Sequence, residues 1–126
     1  MAQGKGCLYG SLTAATTTAG GDALNLANPE GADLIITRFI INVTTAATGS
    51  ATVDAGVAAT ATSNDELLDG VNVGAAAILD DNINGAVADE VASSVVEWGE
   101  DEYVTVTPSA TLAGLVGTYH IEYLHE

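Results

Sequence analysis

Apolar and polar residues alternate along much of this chain with a period of two, and no stretch holds a helical period of 3.6 for long. The clearest run is Asp33 to Thr45. Ile35, Thr37, Phe39, Ile41 and Val43 share one parity, and Ile36, Arg38, Ile40 and Asn42 share the other. Both faces are partly apolar. This predicts a strand whose outer face is either covered or meets another subunit. Its Ile, Val and Thr side chains are stiff at χ1 and suit a strand better than a helix. Residues Ala46 to Ser50 predict a turn. Ala51, Val53, Ala55 and Val57 then alternate with Thr52, Asp54, Gly56 and Ala58, a second strand placed to form a hairpin with the first. Near the C-terminus, Tyr103 to Thr107 reads as a strand stopped by Pro108. Leu115, Tyr119, Ile121 and Tyr123 then share an inward parity, opposite Thr118, His120 and Glu122.

The remaining segments are shorter. Gly4 to Gly21 is rich in Thr but broken by glycines, which predicts an N-terminal arm or edge strand over residues 1–20. Asn28–Pro29–Glu30–Gly31 is turn chemistry. From Thr62 to Gly70, a Ser or Thr cap, acidic first-turn residues and a closing glycine predict one short helical turn. Val71 to Leu79 predicts a further strand and Asp80 to Gly85 a polar loop. Val87 to Trp98 reads two ways: Asp89 and Glu90 suit a helix start, whereas Ser93 to Trp98 favours a strand, followed by an acidic turn at Gly99–Glu102. About seven or eight strands without a long amphipathic helix predict an all-β fold. The expectation is a single β-sandwich, or a jelly-roll-like Greek-key domain, over residues 21–126.

Composition changes this picture mainly through charge. Seventeen acidic residues face only Lys5 and Arg38, for a net charge of −15. Self-repulsion on that scale opposes a compact state at low ionic strength. Salt at 1 M shortens its reach to about 3 Å, so the chain reads as adapted to concentrated salt. Binding to a nucleic-acid backbone is disfavoured, because neutralising phosphates needs many basic residues. Cys7 is the sole cysteine, which excludes an internal disulfide and a zinc site built on cysteine pairs. The opening MAQGKGCLYG holds no apolar h-region, and no run approaches a membrane span, so neither an export signal nor a membrane partner is expected.

Candidate chemistry is sparse. Asp80, Asp81, Asn82 and Asn84 supply oxygen donors suited to Ca²⁺ or Mg²⁺, or to exchangeable Na⁺ or K⁺, without the twelve-residue EF-hand spacing. Glu100, Asp101 and Glu102 form a second carboxylate cluster that reads as a solvated turn. His120 and His125 differ in parity and do not share a strand face. Cys7, His120 and the carboxylates are the residue types of a thiol triad, but only geometry makes a triad. Asn42–Val43–Thr44 matches the N-glycosylation acceptor pattern inside a predicted strand. No phosphate-binding glycine loop is present. No cofactor and no catalytic residue are assigned, and the chain reads as a non-enzyme. Ile36, Arg38, Ile40, Lys5 and Tyr9 are the candidate interface residues: the strand's outer face, the two scarce cations and the arm's aromatic ring.

Several phrases resemble small structural proteins from the head modules of tailed phages and tailed archaeal viruses. They are Leu34–Ile35–Ile36–Thr37, the run Val43 to Ala58, Asn64–Asp65–Glu66–Leu67–Leu68–Asp69–Gly70, Tyr103–Val104–Thr105–Val106 and Ala113 to Tyr119. The resemblance spans about three-quarters of the chain, Ala32 to Leu124. It implies a virion protein that decorates or cements the capsid shell. It also implies a homo-oligomer, with a trimer favoured, that binds the major capsid protein at the capsid surface. The near absence of Lys and Arg departs from such proteins and points to a virus of a halophilic host. The alternatives are a tail, spike or turret subunit, or a carbohydrate- or host-binding β-sandwich module that would display Trp98 or Tyr103.

Overall fold

The computed structural model describes residues 5–13, 17–59, 65–80 and 96–126. These residues form nine strands: β1 (Lys5–Ser11), β2 (Leu24–Ala27), β3 (Leu34–Thr45), β4 (Thr52–Ala58), β5 (Leu68–Asn72), β6 (Ala77–Asp80), β7 (Val96–Trp98), β8 (Tyr103–Pro108) and β9 (Val116–His125). All pairings are antiparallel. The larger sheet runs β1-β9-β3-β6, and β7 also pairs with β3. β6 takes Ile40–Val43 and β7 takes Leu34–Ile36, so the two share out the length of β3. The second sheet runs β2-β8-β4-β5. With β6 and β7 counted as one interrupted strand, this is the strand order of a jelly roll. No helix long and apolar enough to cross a membrane occurs among the described residues.

The two sheets pack face to face over Trp98, Phe39, Leu34, Ile36, Ile41, Leu67, Leu68, Leu112 and Ile121, all fully buried. Each such side chain contributes about 1.5–3 kcal/mol relative to exposure. The scarce large residues are thus spent in the core, and alanines fill the tighter positions at Ala23, Ala47, Ala51 and Ala55.

β3 is the spine of the larger sheet, and a register shift between Ile36 and Arg38 sets its faces. Ile36 pairs with Tyr123 and Arg38 with Glu122, so Thr37 is the extra residue of a β-bulge. Inward parity is even before the bulge (Leu34, Ile36) and odd after it (Phe39, Ile41, Val43). The uninterrupted parity expected from the sequence put Ile36 on the outer face. It is instead fully buried in the core, while Arg38, Ile40 and Asn42 remain half-buried on the outer side.

Three further expectations are corrected. β3 and β4 do not form a hairpin but lie in opposite sheets. The chain between them crosses the sandwich, held by Ala47 N–H to Val73 O and Thr48 N–H to Ala113 O. No helical turn is seen in the described part of the Thr62–Gly70 segment, where Leu68–Gly70 opens β5. Its closing Gly70 does take a left-handed φ of 59°. That conformation serves a bulge, because Asp69 and Gly70 face Asp54 alone between the Leu68–Ala55 and Val71–Val53 pairs. Asp54 Oδ1 accepts the Gly70 N–H at 2.7 Å. The single strand expected over Val71–Leu79 is split between the sheets, with a bend at Gly74 where Asn72 Oδ1 accepts the Gly74 N–H.

β1 is an edge strand of the sheet, in unbroken register with β9 from Lys5–Leu124 to Ser11–Thr118. Its glycines face the core and make room for rings. Tyr119 lies over Gly10, where a Cβ would come within 2.6 Å of the phenol oxygen, and Tyr123 lies over Gly6, where a Cβ would overlap the ring.

Candidate functional site: the outer face of the larger sheet

The side chains that point away from the core on β1, β9, β3 and β6 form a grid fixed by the registers. One row is Tyr9–His120–Ile40, a second is Cys7–Glu122–Arg38, and a third is Ser11–Thr118–Asn42–Ile78. Tyr9 and Ile78 are each 67% exposed. The Tyr9 ring sits over His120, with centroids 4.6 Å apart and planes tilted by 53°. Cys7, Arg38, Ile40, Asn42, Ile78, His120 and Glu122 line a shallow depression of about 380 Å³. Opposite charges face each other within it, because Arg38 is the cross-strand neighbour of Glu122.

The expected interface residues divide on this geometry. Tyr9, Arg38 and Ile40 come together on the outer face. Lys5 opens β1 opposite Leu124. Ile36 is withdrawn by the bulge. Asn42 of the glycosylation pattern lies within β3, half-buried and paired with Ile78. Of the oxygen-donor set, Asp80 ends β6 opposite Ile40, and Asp81, Asn82 and Asn84 lie outside the described residues. Among the described residues, no three His, Cys, Asp or Glu side chains are placed to hold a metal ion. Cys7 Sγ is 4.0 Å from its neighbour's carbonyl, that of Leu8, and no hydrogen bond joins it to His120.

The aromatic residues expected to mark a sugar-binding face are placed differently. Trp98 is fully buried, and its Nε1–H donates to Glu102 O at 3.0 Å. Glu102 closes the acidic turn by accepting the Gly99 N–H at 2.8 Å, while Glu100 and Asp101 stay exposed. Asn28 ties this turn to the loop before β3. Its Nδ2 donates to the carbonyls of Ala32, Trp98 and Gly99, and its Oδ1 accepts the Glu30 N–H. Tyr103 is half-buried.

A second polar cluster lies where that loop meets β9, and parity reading missed it because Glu30 sits in a turn. Tyr123 Oη donates to Glu30 Oε1 at 2.6 Å. His125 Nε2 lies 4.0 Å from Glu30 Oε2. The hydrogen bond to Glu30, then burial, then the Glu30 charge push the Tyr123 hydroxyl up to about 12. A phenol held neutral in this way fastens a loop and is a poor base. The outer-face residues missed from sequence, Ile78 and Leu124, are legible only once the strand register is known, whereas parity already turns His120 outward.

No protein-family model, curated protein or solved structure matches this chain.

Proposed function

We propose that this chain is a virion structural protein that decorates or cements a capsid shell, working in concentrated salt through the outer face of its larger sheet. The observation that carries this reading is the exposure of Tyr9 and Ile78 beside Ile40 and His120 on a chain of net charge −15. An acidic protein that keeps large apolar side chains on one sheet face has a surface suited to a partner. The jelly-roll order adds support, because viral capsid domains use it; lectins use it too, so the fold alone does not select a function. In this reading the major capsid protein is the partner, and the carboxylates elsewhere form the solvated coat.

The test is mass spectrometry of purified particles, followed by rebinding of variants to stripped shells. Ile40→Thr with Ile78→Thr should leave the thermal midpoint nearly unchanged and weaken binding at least about tenfold, since each isoleucine is worth about 1.5–3 kcal/mol when fully covered. Absence of the protein from particles, or full binding by the double variant, would overturn the proposal. The exposed Tyr9 ring favours a second reading, glycan binding. Saturable glycan affinity lost in Tyr9→Ala would select it.

A further inference from the structure

Sheet edges carry unpaired backbone groups, and proteins normally blunt them with charge, brevity, proline or bulges. Of the four sheet edges among the described residues, three are blunted. β5 carries Asp69 and a bulge, β6 and β7 carry Asp80 and Glu97, and β2 is four residues long. β1 carries one charge, Lys5, at its first position, and no other device. It is seven residues long, with no carboxylate, no proline and no register shift.

The direction of its free groups follows from one hydrogen bond. Leu12 N–H donates to Gly117 O at 2.9 Å, continuing the β1–β9 ladder. Hydrogen-bonded and non-hydrogen-bonded pairs alternate in an antiparallel ladder. Gly10, Leu8 and Gly6 therefore exchange their bonds with β9. Lys5, Cys7, Tyr9 and Ser11 turn N–H and C=O groups toward the open edge, and among the described residues nothing pairs with it.

We infer that β1 pairs antiparallel with β1 of a second copy of this chain, about a two-fold axis through Leu8. The strand reads Lys–Gly–Cys–Leu–Tyr–Gly–Ser, with glycines placed symmetrically about its central leucine. In this register Gly6 opposes Gly10 of the second copy, Leu8 opposes Leu8, and Cys7 opposes Tyr9. No carboxylate opposes another along the seam, which matters for a chain of net charge −15. The glycines matter as well. Tyr123 lies over Gly6 and Tyr119 over Gly10 on the same face, so the pairing brings a Tyr123-covered glycine beside a Tyr119-covered one and leaves no gap on the core side. The contact runs both larger sheets into one and carries the outer-face grid across the seam. It goes beyond the capsid reading and does not depend on it.

An interface of one strand pair falls at the small end of the range, so the dimer is concentration-dependent. Screening of like charges strengthens it as salt rises. Sedimentation of the full chain from about 1 μM to about 1 mM should show a monomer–dimer equilibrium, tighter by about tenfold or more at 2 M NaCl than at 0.15 M. Tyr9→Ala removes the ring over His120 and keeps the N–H, so it should still dimerise. Tyr9→Pro removes the edge-facing N–H as well, which an edge strand tolerates. It should keep a cooperative melt and sediment as a monomer. Tyr9→Cys gives a second, register-specific readout. The introduced thiol opposes Cys7 of the other copy at about 5.5 Å between Cα atoms, inside the disulfide range, whereas the two native Cys7 residues lie about 7–8 Å apart on a diagonal. Oxidation should therefore give a covalent dimer with Cys7 in the linked peptide, and Cys7→Ser combined with Tyr9→Cys should give none. Ile40→Thr with Ile78→Thr should still dimerise, which separates this contact from the outer-face reading. A wild type that stays monomeric throughout, a mass of three protomers, dimerisation of Tyr9→Pro, no crosslink in Tyr9→Cys, or crosslinking without Cys7 would each overturn the inference.

Discussion

Tyr123→Phe removes one hydroxyl and tests how β9 is fastened to the loop before β3. The bond lost is a phenol donating to the Glu30 carboxylate at 2.6 Å. Hydrogen bonds to charged groups contribute about 1.5–3 kcal/mol. The Glu30 side chain is 38% exposed, so solvent screens the bond and lowers the expectation to about 1–2 kcal/mol. For a chain of this size that corresponds to a fall of about 3–8 °C in the thermal midpoint. The phenylalanine ring keeps its edge contact with Trp98, now at a centroid distance of 6.4 Å, so little packing should be lost.

The pH dependence supplies the sharper test. Folding raises the Tyr123 hydroxyl from 10.0 to about 12, so the folded state favours the neutral phenol. A group whose value is raised on folding adds stability that is complete below its unfolded value and is lost as pH rises through the folded one. The wild type should therefore exceed Tyr123→Phe by a constant margin up to about pH 9, and the margin should close between about pH 10 and 12. Urea unfolding of both proteins at fixed multimolar NaCl measures the margin, and taking the difference cancels the ionisation of other groups. Equal stability at neutral pH, or a margin that persists unchanged to pH 12, would refute the reasoning.

Other perturbations follow from the same geometry. Gly6→Ala should cost about 1–3 kcal/mol in urea unfolding, because the new Cβ overlaps a Tyr123 ring held by Glu30 and Trp98; Gly10→Ala should cost less, since the half-buried Tyr119 can swing outward. Thr107 buries a hydroxyl with no hydrogen-bond partner, so Thr107→Val should leave stability unchanged or raise it by about 1 kcal/mol. Salt should act on the whole protein: unfolding free energy should climb steeply between low and multimolar NaCl, and a flat response would remove the high-salt part of the functional reading.

Period-two patterning was enough to identify an all-β sandwich, and it located β3, β4, β8 and β9 with their inner faces largely right. It failed where one residue changed the parity. Thr37 in β3 carries no glycine or proline to announce a bulge, so Ile36 was assigned to the wrong face. Gly70 did announce a left-handed residue, but capping a helix and closing a bulge ask the same thing of a glycine. The hairpin expectation failed for a different reason. Two adjacent alternating strands look the same whether they pair or face each other across a core, and the choice here rests on distant carbonyls, Val73 and Ala113. The outer-face grid was half legible: scarcity marks Arg38, parity turns Ile40 outward and Tyr9 is the arm's aromatic ring, but which residues stand beside them is a property of register.

Charge and topology together restrict where this protein can meet a neighbour. A net charge of −15 repels any second copy approaching in an arbitrary orientation at low salt. Screening removes that barrier without creating an attraction, so the contact itself must come from apolar surface or backbone pairing. The described surface offers both in one place. The outer face supplies Tyr9, Ile40 and Ile78 around an Arg38–Glu122 pair, and the edge of β1 supplies free amides on a strand without a carboxylate. Both contacts should strengthen with salt, so salt dependence alone cannot tell them apart. Position can. Tyr9→Pro compared with Tyr9→Ala isolates the edge N–H, and shortening Ile40 and Ile78 affects the face. If each variant loses only its own contact, one acidic sandwich uses two separable surfaces: an edge for its own kind and a face for another partner.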